Sequence, residues 1–235
     1  MKKIFIWISI VLIVLILIGD VFYIITDELW VKSITSAGFV LLGILNLILV
    51  ILMKADWKRF PIIMLVGLFF AMLGDIILEV HFITGAALFA IGHVFYFVSY
   101  CFILQFKWID LIYGAIIFVA GVLFITLAPI FDFGGVLMEV VCCIYAFIIC
   151  FMVGKSISNI IREKNTRNIL LIVGSCLFFF SDLMLLLNVF GDLGKVVSVL
   201  CLVTYYPAQC ILAMSIGINQ YILKEVDTPS SNLEP

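Results

Sequence analysis

Apolar residues along this chain run in long blocks broken by short polar stretches. Eight blocks are long enough to cross the roughly 30 Å of hydrocarbon in a bilayer. They cover 4–25, 33–53, 60–80, 83–104, 108–128, 134–154, 168–188 and 194–220. Backbone groups in lipid must find partners within their own segment, so the blocks predict helices. The connections are short, which favours antiparallel neighbours. The expected fold is all-α, a polytopic membrane protein with eight transmembrane helices. Residues 1–224 form a single transmembrane domain. Residues 225–235 close the chain with polar residues and two prolines and are expected to be a disordered cytoplasmic tail.

Composition agrees with this pattern. The 235 residues are 66% hydrophobic and 12% charged, against about 45–50% and about 25% in soluble domains, and the mean hydropathy is +1.36. The opening MKKIFIWISIVLIVLILIGD imitates a signal peptide. Its apolar run is longer than the usual core of one and lacks a small-x-small cleavage site, so it reads as the first membrane helix. A net charge of −2 and the lack of a basic run argue against nucleic acid as a partner. Cysteines 101, 142, 143, 150, 176, 201 and 210 all fall in apolar segments without a CxxC pair. They read as small hydrophobes rather than disulfide partners or zinc ligands.

Lysine and arginine orient the spans. Lys2, Lys3, Lys54, Lys58, Arg59, Lys107, Lys155, Arg162, Lys164, Arg167 and Lys224 collect on one side, eleven of thirteen; only Lys32 and Lys195 fall on the other. The positive-inside rule puts both termini in the cytoplasm of a multi-pass cell-membrane protein, in bacteria the inner membrane. A parallel four-helix repeat is also expected. LVGLFFAMLGDIIL (65–78) lies over IVGSCLFFFSDLML (172–185), which sets Gly67 on Gly174 and Asp75 on Asp182 at an offset of 107.

The two aligned aspartates are the leading candidates for chemistry. An acid in the middle of a membrane helix costs roughly 2.5–3.5 kcal/mol on insertion scales, so it marks a function or a buried polar network. If Asp75 and Asp182 meet in one dry cavity, repulsion keeps one protonated and the other ionised, an acid and a base from one residue type. Alternatively, each bonds a Tyr or a backbone group and only locks helix packing. His93 and Tyr96 share a face of the fourth helix; Tyr145, Tyr205 and Gln209 are further inward-facing candidates. Pro207 is expected to kink the last helix. Glu79 and Asp20 read as interfacial charges, and Lys32 as a partner for a lipid phosphate or an interfacial anchor. His81 and His93 are the two histidines, too few for the usual zinc set. No HExxH, GxSxG or P-loop pattern occurs.

The segments GLFFAMLGDIIL, GAALFAIGHVFYF, LFFFSDLML and YYPAQ together resemble the lysoplasmalogenase (YhhN-like) family of eight-helix membrane proteins. Ser33 stands where that family tends to have proline after the lysine. The resemblance implies hydrolysis of the vinyl ether bond of a lysoplasmalogen-type lysophospholipid, giving a fatty aldehyde and a glycerophospho-alcohol without a metal or organic cofactor. It casts Asp75 and Asp182 as the catalytic pair. His93, Tyr96, Tyr145, Tyr205 and Gln209 orient them and a water, and Lys32 meets the head group. Paired acids and a repeat would also suit a lipid or small-molecule transporter.

Overall fold

The computed structural model describes residues 2–54 and 59–222. Eight long helices run as α1 (Lys2–Thr26), α2 (Leu29–Leu52), α3 (Phe60–Leu78), α4 (Phe82–Ile103), α5 (Trp108–Leu127), α6 (Val136–Arg162), α7 (Thr166–Gly191) and α8 (Lys195–Ser215), and a short α9 (Ile218–Ile222) follows. All eight are long and apolar enough to span a membrane, and no strand occurs among the described residues. The chain is thus an all-α, multi-pass membrane protein. The tail 225–235, Lys58 and Lys224 lie outside the described residues.

Two of the expected spans need correction. Helix α6 continues eight residues past 154, so Lys155, expected in a loop, is wholly buried inside it. It is tolerated there because Asp110 Oδ2 lies 2.7 Å from its Nζ. The last span ends at Ser215, and the chain turns through Ile216 and Gly217 before α9. Pro207 sits within α8, which continues past it.

Consecutive helices pair as hairpins: α1 with α2, α3 with α4, α5 with α6, α7 with α8. Helix α2 then packs on α3 and α8, and α6 on α7 and α4. Glycines permit the closest approaches. A Cβ added at Gly67 would press on the Tyr96 ring, and one at Gly154 would meet the Gly114 backbone. The outer helices differ. Helix α1 leans on α8 as well as α2, whereas α5 packs on α6 alone among the described residues.

At the centre, the rings of Phe89, Phe178 and Tyr205 form a triangle with centroids 5.3–5.9 Å apart. Offset and edge contacts at these spacings are the favourable ones for aromatic pairs. The triangle joins α4, α7 and α8.

Candidate functional site

Asp75 lies on the last turn of α3 and is 4% exposed. Both its oxygens are engaged. Lys32 Nζ, from α2, stands 3.2 Å from Oδ1. Ser36, one turn further along α2, and Tyr206 of α8 both donate to Oδ2, the tyrosine at 3.0 Å. The carboxylate thus has a buried lysine on one oxygen and two hydroxyl donors on the other.

Lys32 is shared. Its Nζ also donates to Glu79 Oε1 at 2.5 Å, and Tyr23 of α1 donates to the same oxygen at 3.0 Å. Glu79 is the C-cap of α3, and its side chain keeps 40% of its surface exposed. It stands at the rim, as expected, but as a ligand of Lys32. Asp20 is a correction: it is 3% exposed, buried where α1 packs on α2 and α8, and its Oδ1 has no partner. The interfacial reading fails because the polar face of α1 turns toward the bundle.

Asp182 of α7 has a different shell. Tyr145 of α6 donates to its Oδ2 at 2.6 Å, and His93 Nε2 of α4 lies 3.2 Å from the same oxygen and 2.9 Å from the tyrosine hydroxyl. Oδ1 takes no hydrogen bond, and the side chain is 10% exposed. The tyrosine proton is spent on Asp182, so His93 donates from Nε2. Its Nδ1 is left buried without a partner.

The two aspartates line one chamber of about 100 Å³ together with Lys32, Glu79, Asn188 and Ser198. That is room for water beside several polar groups. Asp182 and Tyr145 also line an apolar groove between α4, α5, α6 and α7, walled by Phe82, Phe124, Ile149 and Phe190. Leu78, Phe89, Asp182 and Leu185 face both spaces, so Asp182 stands at the seam of a polar chamber and an apolar groove.

The other candidates divide. Tyr205 lines the chamber, and its hydroxyl donates to the Ala71 carbonyl at 3.2 Å. Tyr96 and Gln209 bond each other at 2.8 Å deep between α4 and α8 and line neither space. His81 caps α4 by accepting from the Thr84 amide at 3.2 Å. Among the described residues no group of three His, Cys, Asp or Glu side chains is placed to hold a metal. Both tyrosine–aspartate bonds that a purely structural role would need are present, yet both acids also face the chamber.

Ser36, Tyr23 and Tyr206 escape the sequence reading. Ser36 carries a usable signal, since it lies four residues after Lys32 and so on the same helical face.

Comparison with family models matches residues 35–216, well over half of the chain, to the family described as the YhhN family. The matched span includes Ser36, Asp75, His93, Tyr145, Asp182 and Tyr206 and begins after Lys32. No curated protein and no solved structure matches the chain.

Proposed function

The chain belongs to the YhhN family, and from that premise we propose that it is a membrane hydrolase that cleaves the vinyl ether bond of a lysoplasmalogen-type lysophospholipid. The observation that carries the reading is the seam at Asp182. A polar chamber lined by Lys32 meets an apolar groove at Asp182, one oxygen of which takes no hydrogen bond among the described residues. A single-chain phospholipid has the same order of parts: charged head, ether bond, hydrocarbon. With the topology that the Lys and Arg distribution predicts, the chamber opens to the outer face.

The two carboxyl groups take unequal roles. Asp182 is the acid. Its Oδ2 accepts from Tyr145 and His93, which leaves the proton on Oδ1, toward the chamber. That proton passes to the alkene carbon remote from oxygen, and the carbon bearing the ether oxygen becomes part of an oxocarbenium ion. Asp75, positioned by Lys32, Ser36 and Tyr206, supplies the negative field that steadies the cation. Water then adds to the cationic carbon and gives its proton to the Asp182 carboxylate. The hemiacetal C–O bond breaks as the hydroxyl proton moves to the glycerol oxygen, and the aldehyde and the glycerophospho-alcohol leave. One water is consumed and the acid is restored. Lys32 and Glu79 hold the head group at the mouth.

The test is turnover by the purified full-length protein on a lysoplasmalogen, read as aldehyde release. Asp182→Asn is expected to abolish it, and Asp75→Asn to lower it strongly. Wild-type turnover in both variants would overturn the mechanism. Lipid movement across a proteoliposome without bond cleavage would identify a transporter instead.

A further inference from the structure

Gly121 of α5 differs from the other glycines on the helix faces. A Cβ added at Gly67, Gly74, Gly114, Gly154 or Gly174 would collide with a neighbouring helix, so packing accounts for them. A Cβ at Gly121 would meet only Cys150 Sγ, at 4.0 Å. Glycine is among the poorest residues for a helix interior, and no close approach requires it here. What it gives is width, because Gly121 lines the apolar groove that Asp182 and Tyr145 share.

The groove has an open side. Helices α5 and α6 close on each other at Gly114 and Gly154. Beyond that crossing the α5 backbone stays clear of α4 and α7 among the described residues, although residues of all four helices face the groove. In a bilayer the gap between α5 and α7 meets lipid tails rather than water. Gly121 lies seven residues past Gly114, about 10 Å along the helix, where this gap has opened.

We propose that Gly121 marks the passage of the substrate's hydrocarbon chain. The chain leaves the seam at Asp182, crosses the groove beside Gly121 and continues into the bilayer between α5 and α7. Residue 121 therefore decides how long a chain the site accepts, and with glycine there the site accepts long ones. This rests on the reading of the substrate as a single-chain lipid.

The experiment uses the full-length protein in nanodiscs and alkyl-ether lysophospholipids, which lack the vinyl bond, with eight or sixteen carbons. Occupancy is read by native mass spectrometry, and turnover is read on vinyl ethers of the same lengths. Wild type and Gly121→Ala are expected to take both lengths. Gly121→Leu is expected to lower the long-to-short ratio about tenfold, the loss of roughly two methylenes of burial. Ala146→Phe narrows the same groove from α6 and is expected to act alike, so it decides the matter if the leucine variant does not fold. Unchanged ratios in the folded variants overturn the passage. A shifted occupancy ratio in a protein without vinyl ether turnover overturns the hydrolase and leaves the passage standing. Turnover with unchanged ratios does the reverse.

Discussion

Among the described residues two lysine–aspartate pairs are buried, and they are built to opposite ends. At the α5–α6 pair, Asp110 accepts from Lys155 Nζ at 2.7 Å and the Lys107 amide at 2.8 Å on one oxygen, and from Ser158 on the other, with Arg162 3.6 Å away. Lys155 and Arg162 also reach the Gln105 carbonyl. Both oxygens are used, and neither the chamber nor the groove reaches the pair. Around Asp75, Lys32 is divided between two carboxylates, a third acid lies buried behind them, and the group faces a chamber with Asp182 across it. A buried charge alone therefore does not mark a site. A buried charge beside space, with an acceptor left free, does.

The largest effect that separates the two regions should come from Asp182→Asn. Turnover is expected to fall by about 10²–10⁴-fold, the usual worth of a general acid, while thermal unfolding stays near that of wild type. A drop in unfolding temperature that accounts for the lost activity would erase the distinction. Next, Lys155→Met strands Asp110 and should cost about 3–5 kcal/mol of stability, with turnover per folded molecule unchanged. Adding Asp110→Leu should recover most of that stability, since an apolar pair can replace a buried ion pair. Denaturation monitored by circular dichroism checks both variants. The matching double change at Lys32 and Asp75 should recover no activity.

Lys32→Met by itself is expected to raise KM more than it lowers kcat, with a loss of roughly 2–3 kcal/mol in kcat/KM if the lysine holds an anionic head. An equal fall in kcat would move Lys32 from binding to chemistry. The smallest effect is expected from Tyr206→Phe, which removes one of three partners of Asp75, about 1.5–3 kcal/mol for a bond to a charged group and less where Ser36 compensates. Comparing it with Tyr145→Phe asks which acid depends more on its tyrosine. The Asp182 side should suffer more, because its Oδ2 has only His93 as a second partner.

The sequence showed the helices more clearly than the contacts. Hydropathy locates all eight spans because each is a long run with sharp charged ends. It fails at α6, where Lys155 looks like such an end and is instead neutralised by a partner 45 residues away. The recurrence of Lys155, Ser158, Asn159 and Arg162 at helical spacing was the available sign that α6 continues with one polar face. Depth along α3 and α7 suffices to bring Asp75 and Asp182 to one chamber. It cannot choose between Tyr205 and Tyr206, which are adjacent and both buried, and the one that holds Asp75 is Tyr206. We propose the four-helix duplication on the same footing. It is supported by the way the hairpins close, although α8 matches α4 at an offset of 116 rather than the 107 that relates α7 to α3. Gly67 abuts Tyr96 as Gly174 abuts Leu212.

The triangle of Phe89, Phe178 and Tyr205 sets a further constraint. Asp75 is indexed to α2 and α8 by its hydrogen bonds, and Asp182 to α4 and α6 by its own. Neither set fixes the gap between the acids. Phe89 and Tyr205 line the chamber that both acids face, so their bulk limits its width. The reach of a proton from one wall of the chamber to a cation steadied by the other is thus a packing dimension. It is tuned by the volume of residues such as Phe89 that carry no charge at all.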